Sequence, residues 1–88
     1  MKPAALIYLQ DSQPAQRLAV AWPLVPAGQR EDPAAWARLA GLTIADAERY
    51  GSVLLAHGIC LPDGTLDHDA ENFIAAIVAA SIPRKRTK

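Results

Sequence analysis

Few residues in this chain are of a type and spacing that could do chemistry. Asp67-His68-Asp69 offers three metal-ligand types in a row, His57 stands alone, and Cys60 is the single cysteine. Consecutive residues at a helix start diverge by about 100° each, so the first set does not converge on one centre. Acidic residues there are expected as caps and as partners of the helix dipole. His57, near a predicted helix end, serves that dipole or packs against a neighbour more readily than it acts as a base. Cys60 lies between Ile59 and Leu61, the setting of a small buried hydrophobe rather than a reactive thiol. One cysteine excludes an internal disulfide and a cysteine-rich metal site. The sequence contains no glycine-rich phosphate loop, nucleophile elbow or paired carboxylates. It reads as a non-enzyme without catalytic residues, metal or cofactor.

What remains is recognition chemistry. Arg84, Lys85, Arg86 and Lys88 form a basic C-terminal run able to grip phosphates. Arg49 and Ser52 are donors on a predicted helix whose exposed start also carries Asp46 and Glu48. A carboxylate can accept from cytosine N4, but neighbouring phosphates repel it.

The elements that would position these groups lie between Asp32 and Leu66. Asp32 is a good N-cap and Pro33 suits the first helical position. Ala34 to Ala40 continue the helix, with Trp36, Leu39 and Ala40 on one face. Gly41 ends it in the left-handed conformation. Thr43-Ile44-Ala45-Asp46 spells a capping box, with Leu42 placed to staple onto Ala47. Ile44, Ala47, Gly51, Leu54, Leu55 and Gly58 then share one side of a longer helix. Ala47 and Gly51 are small enough to admit another helix closely. Pro62-Asp63-Gly64 is turn chemistry between Ile59-Cys60-Leu61 and Thr65-Leu66, which predicts a very small β-hairpin that must pack on the helices to exist.

These residues resemble the helix-turn-helix, and more closely its winged form, of small bacterial and phage regulators. Ala37 takes the place of the small residue in the first helix and Gly41 that of the turn glycine. Trp36, Leu42, Ala47 and Tyr50 match the apolar positions that lock the two helices. Gly58-Ile59 followed by Asp63-Gly64-Thr65 resembles entry into a wing. The resemblance covers roughly residues 32–66. A plain αα-hairpin with an ordinary turn is the alternative. The resemblance implies a mainly α, winged-helix-like domain with a short β-hairpin.

On either side the pattern is less even. Ala4 to Leu9 is an apolar run without decisive periodicity. Ser12 can cap a helix carrying Pro14 in its first turn and running to Trp22, and a β-hairpin of residues 4–10 with 17–23 competes with it. Residues 25–31 read as loop. After the turn, Ala70, Phe73, Ile74, Ile77 and Val78 give the best amphipathic pattern in the chain, capped by Asp67 or Thr65 and ending near Ser81 ahead of Pro83. Phe73, Ile74 and Ile77 are expected to bury against Trp36 and Leu54 or Leu55. Residues 1–83 thus form a single helix-turn-helix-like domain and residues 84–88 a basic tail.

At 88 residues the chain can bury only a modest, alanine-rich core, which homodimerisation or a bound partner would help. No apolar run is long enough to span a bilayer, and no signal-peptide pattern opens the sequence, so a cytoplasmic location is expected. The nine basic and nine acidic residues cancel, but the signs are segregated. Outside the tail, five basic residues face all nine acids. Two functions fit. The first is a DNA-binding transcription regulator of bacterial, phage or mobile-element type. The second is a protein-interaction module, an inhibitor or adaptor docking through an acidic face. In either case Ile44, Ala45, Glu48, Arg49, Ser52 and the tail residues Arg84, Lys85, Arg86 and Lys88 are the expected contacts with DNA or the protein partner. A mixed or acidic face over residues 44–52 favours the protein.

Overall fold

Short polar side chains start the three central helices. In the computed structural model, which describes residues 3–81, α1 spans Pro3–Asp11, α2 Gln13–Ala21, α3 Pro33–Ala40, α4 Ile44–Ala56 and α5 His68–Ser81. The Ser12 hydroxyl accepts from the Ala15 amide at 3.2 Å, with Pro14 in the first turn of α2. Asp32 accepts from the Ala34 amide at 3.0 Å and Thr43 from the Asp46 amide at 3.1 Å, opening α3 and α4. Each bond answers a backbone donor that has no partner inside its helix. Short 3₁₀ turns at Trp22–Leu24 and Ala27–Gln29 carry the chain from α2 to α3.

Glycine closes α3 and α4 in the same way. Gly41 sits at φ +72°, where a β-carbon would strain the backbone. The Leu42 amide donates back to the Ala37 carbonyl at 2.9 Å and the Gly41 amide to Arg38 at 3.3 Å, the pairing of a Schellman cap. Gly58, also at φ +72°, repeats it: Ile59 donates to Leu54 at 2.9 Å and Gly58 to Leu55 at 3.1 Å.

The core forms where α2, α3 and α4 pack on one another around two tryptophans. Trp22 and Trp36 stack obliquely, with ring centroids 4.7 Å apart. Each indole is buried but keeps a polar partner: Trp36 Nε1 donates to the Leu18 carbonyl and Trp22 Nε1 to Leu61, both at 2.8 Å. α4 comes so near that a β-carbon on Gly51 would lie 2.5 Å from the Trp36 ring. Leu9, Leu18, Leu54, Ile59 and Cys60 fill the remaining interior.

Four expectations are revised. The run from Ala4 to Leu9 is helical, with Ala5 and Leu9 buried one turn apart, so the β-hairpin of 4–10 with 17–23 does not form. The expected β-hairpin after α4 is also absent as such: the described residues contain no strand, only an isolated antiparallel bridge between Cys60 and Leu66. Arms of two and three residues are too short for a ladder, and the segment closes as a loop instead. Leu61 donates to the Thr65 carbonyl and Asp67 to Ile59, both at 2.9 Å, while Asp63 accepts from the Thr65 amide at 3.0 Å and hydroxyl at 2.6 Å. Those two bonds hold the Asp63 carboxyl below its ordinary pKa. Leu39, expected inward, is 47 % exposed, because α2 and α3 leave an open groove beside it. Finally, α5 packs against α2. Ile74 is buried, Phe73 and Ile77 are half-buried, and Val78 is exposed. The residues described include no helix long and apolar enough to cross a membrane.

Candidate macromolecule-binding face

α4 has three sides. Ala47, Gly51 and Leu54 face the core. Tyr50 and His57 lie toward α1, where the Tyr8 ring is 6.1 Å from that of His57. Burial and the neighbouring Tyr50 push the Tyr8 hydroxyl's pKa up. The third side is free: Ile44, Ala45, Glu48, Arg49 and Ser52 are all exposed, and Leu55 and Ala56 continue the ridge. The structure therefore brings together every predicted contact on α4. Arg84, Lys85, Arg86 and Lys88 lie outside the described residues.

The ridge is mixed in charge, with one acid and one base between half-exposed Ile44 and Leu55. Arg49 extends over its neighbour Tyr50, its guanidinium carbon 5.5 Å from the ring centre. The Ser52 hydroxyl donates to the Arg49 carbonyl at 3.0 Å, so its proton is engaged within the helix. Asp46, at the cap, is half-buried.

One feature of this end of the molecule was not readable from the sequence. Arg17 of α2 reaches the α3–α4 turn, its Nη1 4.0 Å from where a Gly41 β-carbon would be. Arg38 is exposed in the last turn of α3, three residues before that glycine. Arg49 stands in the second turn of α4, with its guanidinium over the Tyr50 ring. No local signal marks Arg17, because only the packing of α2 on α3 delivers it there.

The other side of the ridge is a pair of shallow cavities. One, of about 320 Å³, is lined by Pro33, Trp36, Glu48, Ser52 and Leu55. The next, of about 440 Å³, lies between Leu55, Trp22 and Pro62. Arg30 borders both and ties the 27–31 segment to the loop after α4, donating to the Pro62 carbonyl at 3.3 Å above Gly64. Glu31 also borders both cavities, which gives this side an acidic rim with Glu48.

The remaining candidates have structural roles. Cys60 is buried, and burial pushes its thiol up to about 12, a setting that suppresses the thiolate. Asp67 accepts from the Asp69 amide at 3.0 Å at the start of α5. No group of three or more His, Cys, Asp and Glu side chains among the described residues is arranged to hold a metal ion. Comparison with protein-family models, curated proteins and solved structures gave no match.

Proposed function

We propose that this chain is a small DNA-binding regulator that uses α3 and α4 as a helix-turn-helix-like unit. The observation that carries the reading is the turn end. α4 starts there with its exposed ridge and positive dipole end, Arg17 reaches the turn from α2, and Arg38 lies in the last turn of the helix before it. Phosphate contacts position such a domain, and side chains at the start of the second helix reach base edges. Arg17 and Arg38 take the first role in this reading, Arg49 the second. The basic run at 84–88 adds phosphate contacts.

A gel-shift titration at low salt tests it. A shift with mixed-sequence duplex is expected by tens of micromolar protein. Arg17→Ala and Arg38→Ala should each weaken binding to all sequences and lower the salt slope by about one unit. Arg49→Ala should change sequence preference instead. No shift with any duplex ends this reading.

The mixed ridge favours a second one, a protein partner docking on Ile44 and Leu55 with a basic flank against Glu31 and Glu48. Glu48→Lys then abolishes docking by charge reversal.

A further inference from the structure

Arg30 is a cation with little to hold. Its side chain is half-buried beside the loop after α4, and a β-carbon on Gly64 would overlap its guanidinium. Of that fork of N–H donors, Nη1 alone is hydrogen-bonded, to the Pro62 carbonyl at 3.3 Å. Nε is buried with no partner. Asp63, whose carboxyl senses the Arg30 charge, accepts from Thr65 instead. No ion pair joins Arg30 to an acid among the described residues. A guanidinium partly withdrawn from water and left without an acceptor is costly.

The same residue borders the cavity of about 440 Å³ whose walls are Trp22, Leu55 and Pro62. Glu31, exposed and likewise without an ion pair, borders it too. The site thus offers one cation and one anion, adjacent in sequence, beside an apolar wall. A ligand with only a carboxylate would meet repulsion from Glu31, and one with only an amine would meet it from Arg30. A neutral apolar ligand would leave both charges unanswered. A small zwitterion on an apolar body answers all three features. The size agrees, because small-ligand cavities begin at about 300 Å³ and combine apolar walls with a few placed polar groups.

We propose that this cavity binds a free α-amino acid with a large apolar side chain. Its carboxylate meets the Arg30 guanidinium, its ammonium meets Glu31, and its side chain lies against Trp22, Leu55 and Pro62. Arg–carboxylate pairing supplies charge-assisted hydrogen bonds, and the loop at Gly64 holds the guanidinium in place for them. Arg17, Arg38 and Arg49 do not line the cavity, so ligand binding stands or falls separately from DNA binding.

Titration of the full chain with L-leucine, followed by tryptophan fluorescence, tests this. Trp22 lies in the wall, so its emission should shift with a dissociation constant of about a millimolar or less. Isocaproate, which is leucine without its amine, and isoamylamine, which lacks its carboxylate, should each bind at least about tenfold more weakly. Glu31→Gln and Arg30→Gln should weaken leucine by a similar factor. Because Arg30 also ties the loop to Pro62, Gly28→Leu supplies a variant that leaves the guanidinium alone. Gly28 lines the cavity, and a β-carbon there meets nothing within 4 Å, so the added side chain should block leucine with unchanged far-ultraviolet circular dichroism. No response to L-leucine or L-phenylalanine up to about fifty millimolar overturns the proposal. So does binding indifferent to both Glu31→Gln and Gly28→Leu, and either analogue binding as tightly as leucine overturns the zwitterion.

Discussion

The α3–α4 junction and the second half of α5 both rely on alanines and a few large apolar side chains for their packing faces. In the first, every small residue is answered. Gly51 receives the Trp36 ring, Ala47 is closed over, and the indole finds the Leu18 carbonyl. In the second, Ala75, Ala76, Val78 and Ala79 face outward beside an open groove. Small residues stabilise only where a large partner on the facing element fills the space they leave. Apolar periodicity reports which residues want covering, and the partner's shape decides whether they are covered.

Removing the partner breaks the first region most severely. Trp36→Ala should cost about 3–5 kcal/mol through lost burial and a cavity at the three-helix centre, a large part of the stability of so small a domain. Urea unfolding measures it, and a loss under about 1 kcal/mol would mean that the junction closes without the indole.

The two isoleucines of α5 sharpen the contrast inside one helix. Ile74→Ala should cost about 2–4 kcal/mol, and Ile77→Ala, at a half-buried position, about 1 kcal/mol. Equal losses would place both in the core. Gly41→Val follows at roughly 1–3 kcal/mol, from strain at positive φ beside the Arg17 guanidinium. Melting within a degree or two of the parent would show that the turn relaxes freely.

Cys60 gives a pH-dependent probe of the same core. Its thiol is raised from 9.0 to about 12 in the folded chain, so above pH 9 the unfolded state loses a proton that the native state keeps. Its contribution is fully present below pH 9 and declines as pH rises toward 12, by up to about 1.4 kcal/mol per unit. Cys60→Ala should remove this part of the alkaline slope. Rapid reaction of the native protein with a thiol reagent at pH 8 would contradict the burial.

Elements whose signals are local were legible in the sequence. Ser12, Asp32 and Thr43 cap helices as their types dictate, and Gly41 stops α3 because few other residues take that conformation without strain. α1 was not legible, since its inward residues Ala5 and Leu9 are too few to reveal a period among the apolar neighbours Leu6 and Ile7. The strand arms beside Pro62-Asp63-Gly64 looked like a hairpin because turn chemistry is the same in a loop. Of the candidate face, the α4 ridge followed from helical spacing. Arg17 did not, being separated from Gly41 by twenty-four positions of chain that only tertiary packing folds together. Leu39 satisfies a helical period yet remains exposed and Ile77 is only half-buried, because a period cannot say how much room the neighbouring helices leave.

The claim that the α4 ridge faces DNA is tested most directly by Glu48→Lys in an anisotropy titration of labelled duplex across salt concentrations. Glu48 is exposed on the ridge and makes no hydrogen bond or ion pair among the described residues, so the exchange leaves the fold alone. Replacing a repelled carboxylate by a phosphate-attracted amine should tighten binding and steepen the salt slope by about one unit. An unchanged affinity and slope would show that DNA, if bound, does not meet this face, and loss of a protein complex in the same variant would assign the ridge to a protein.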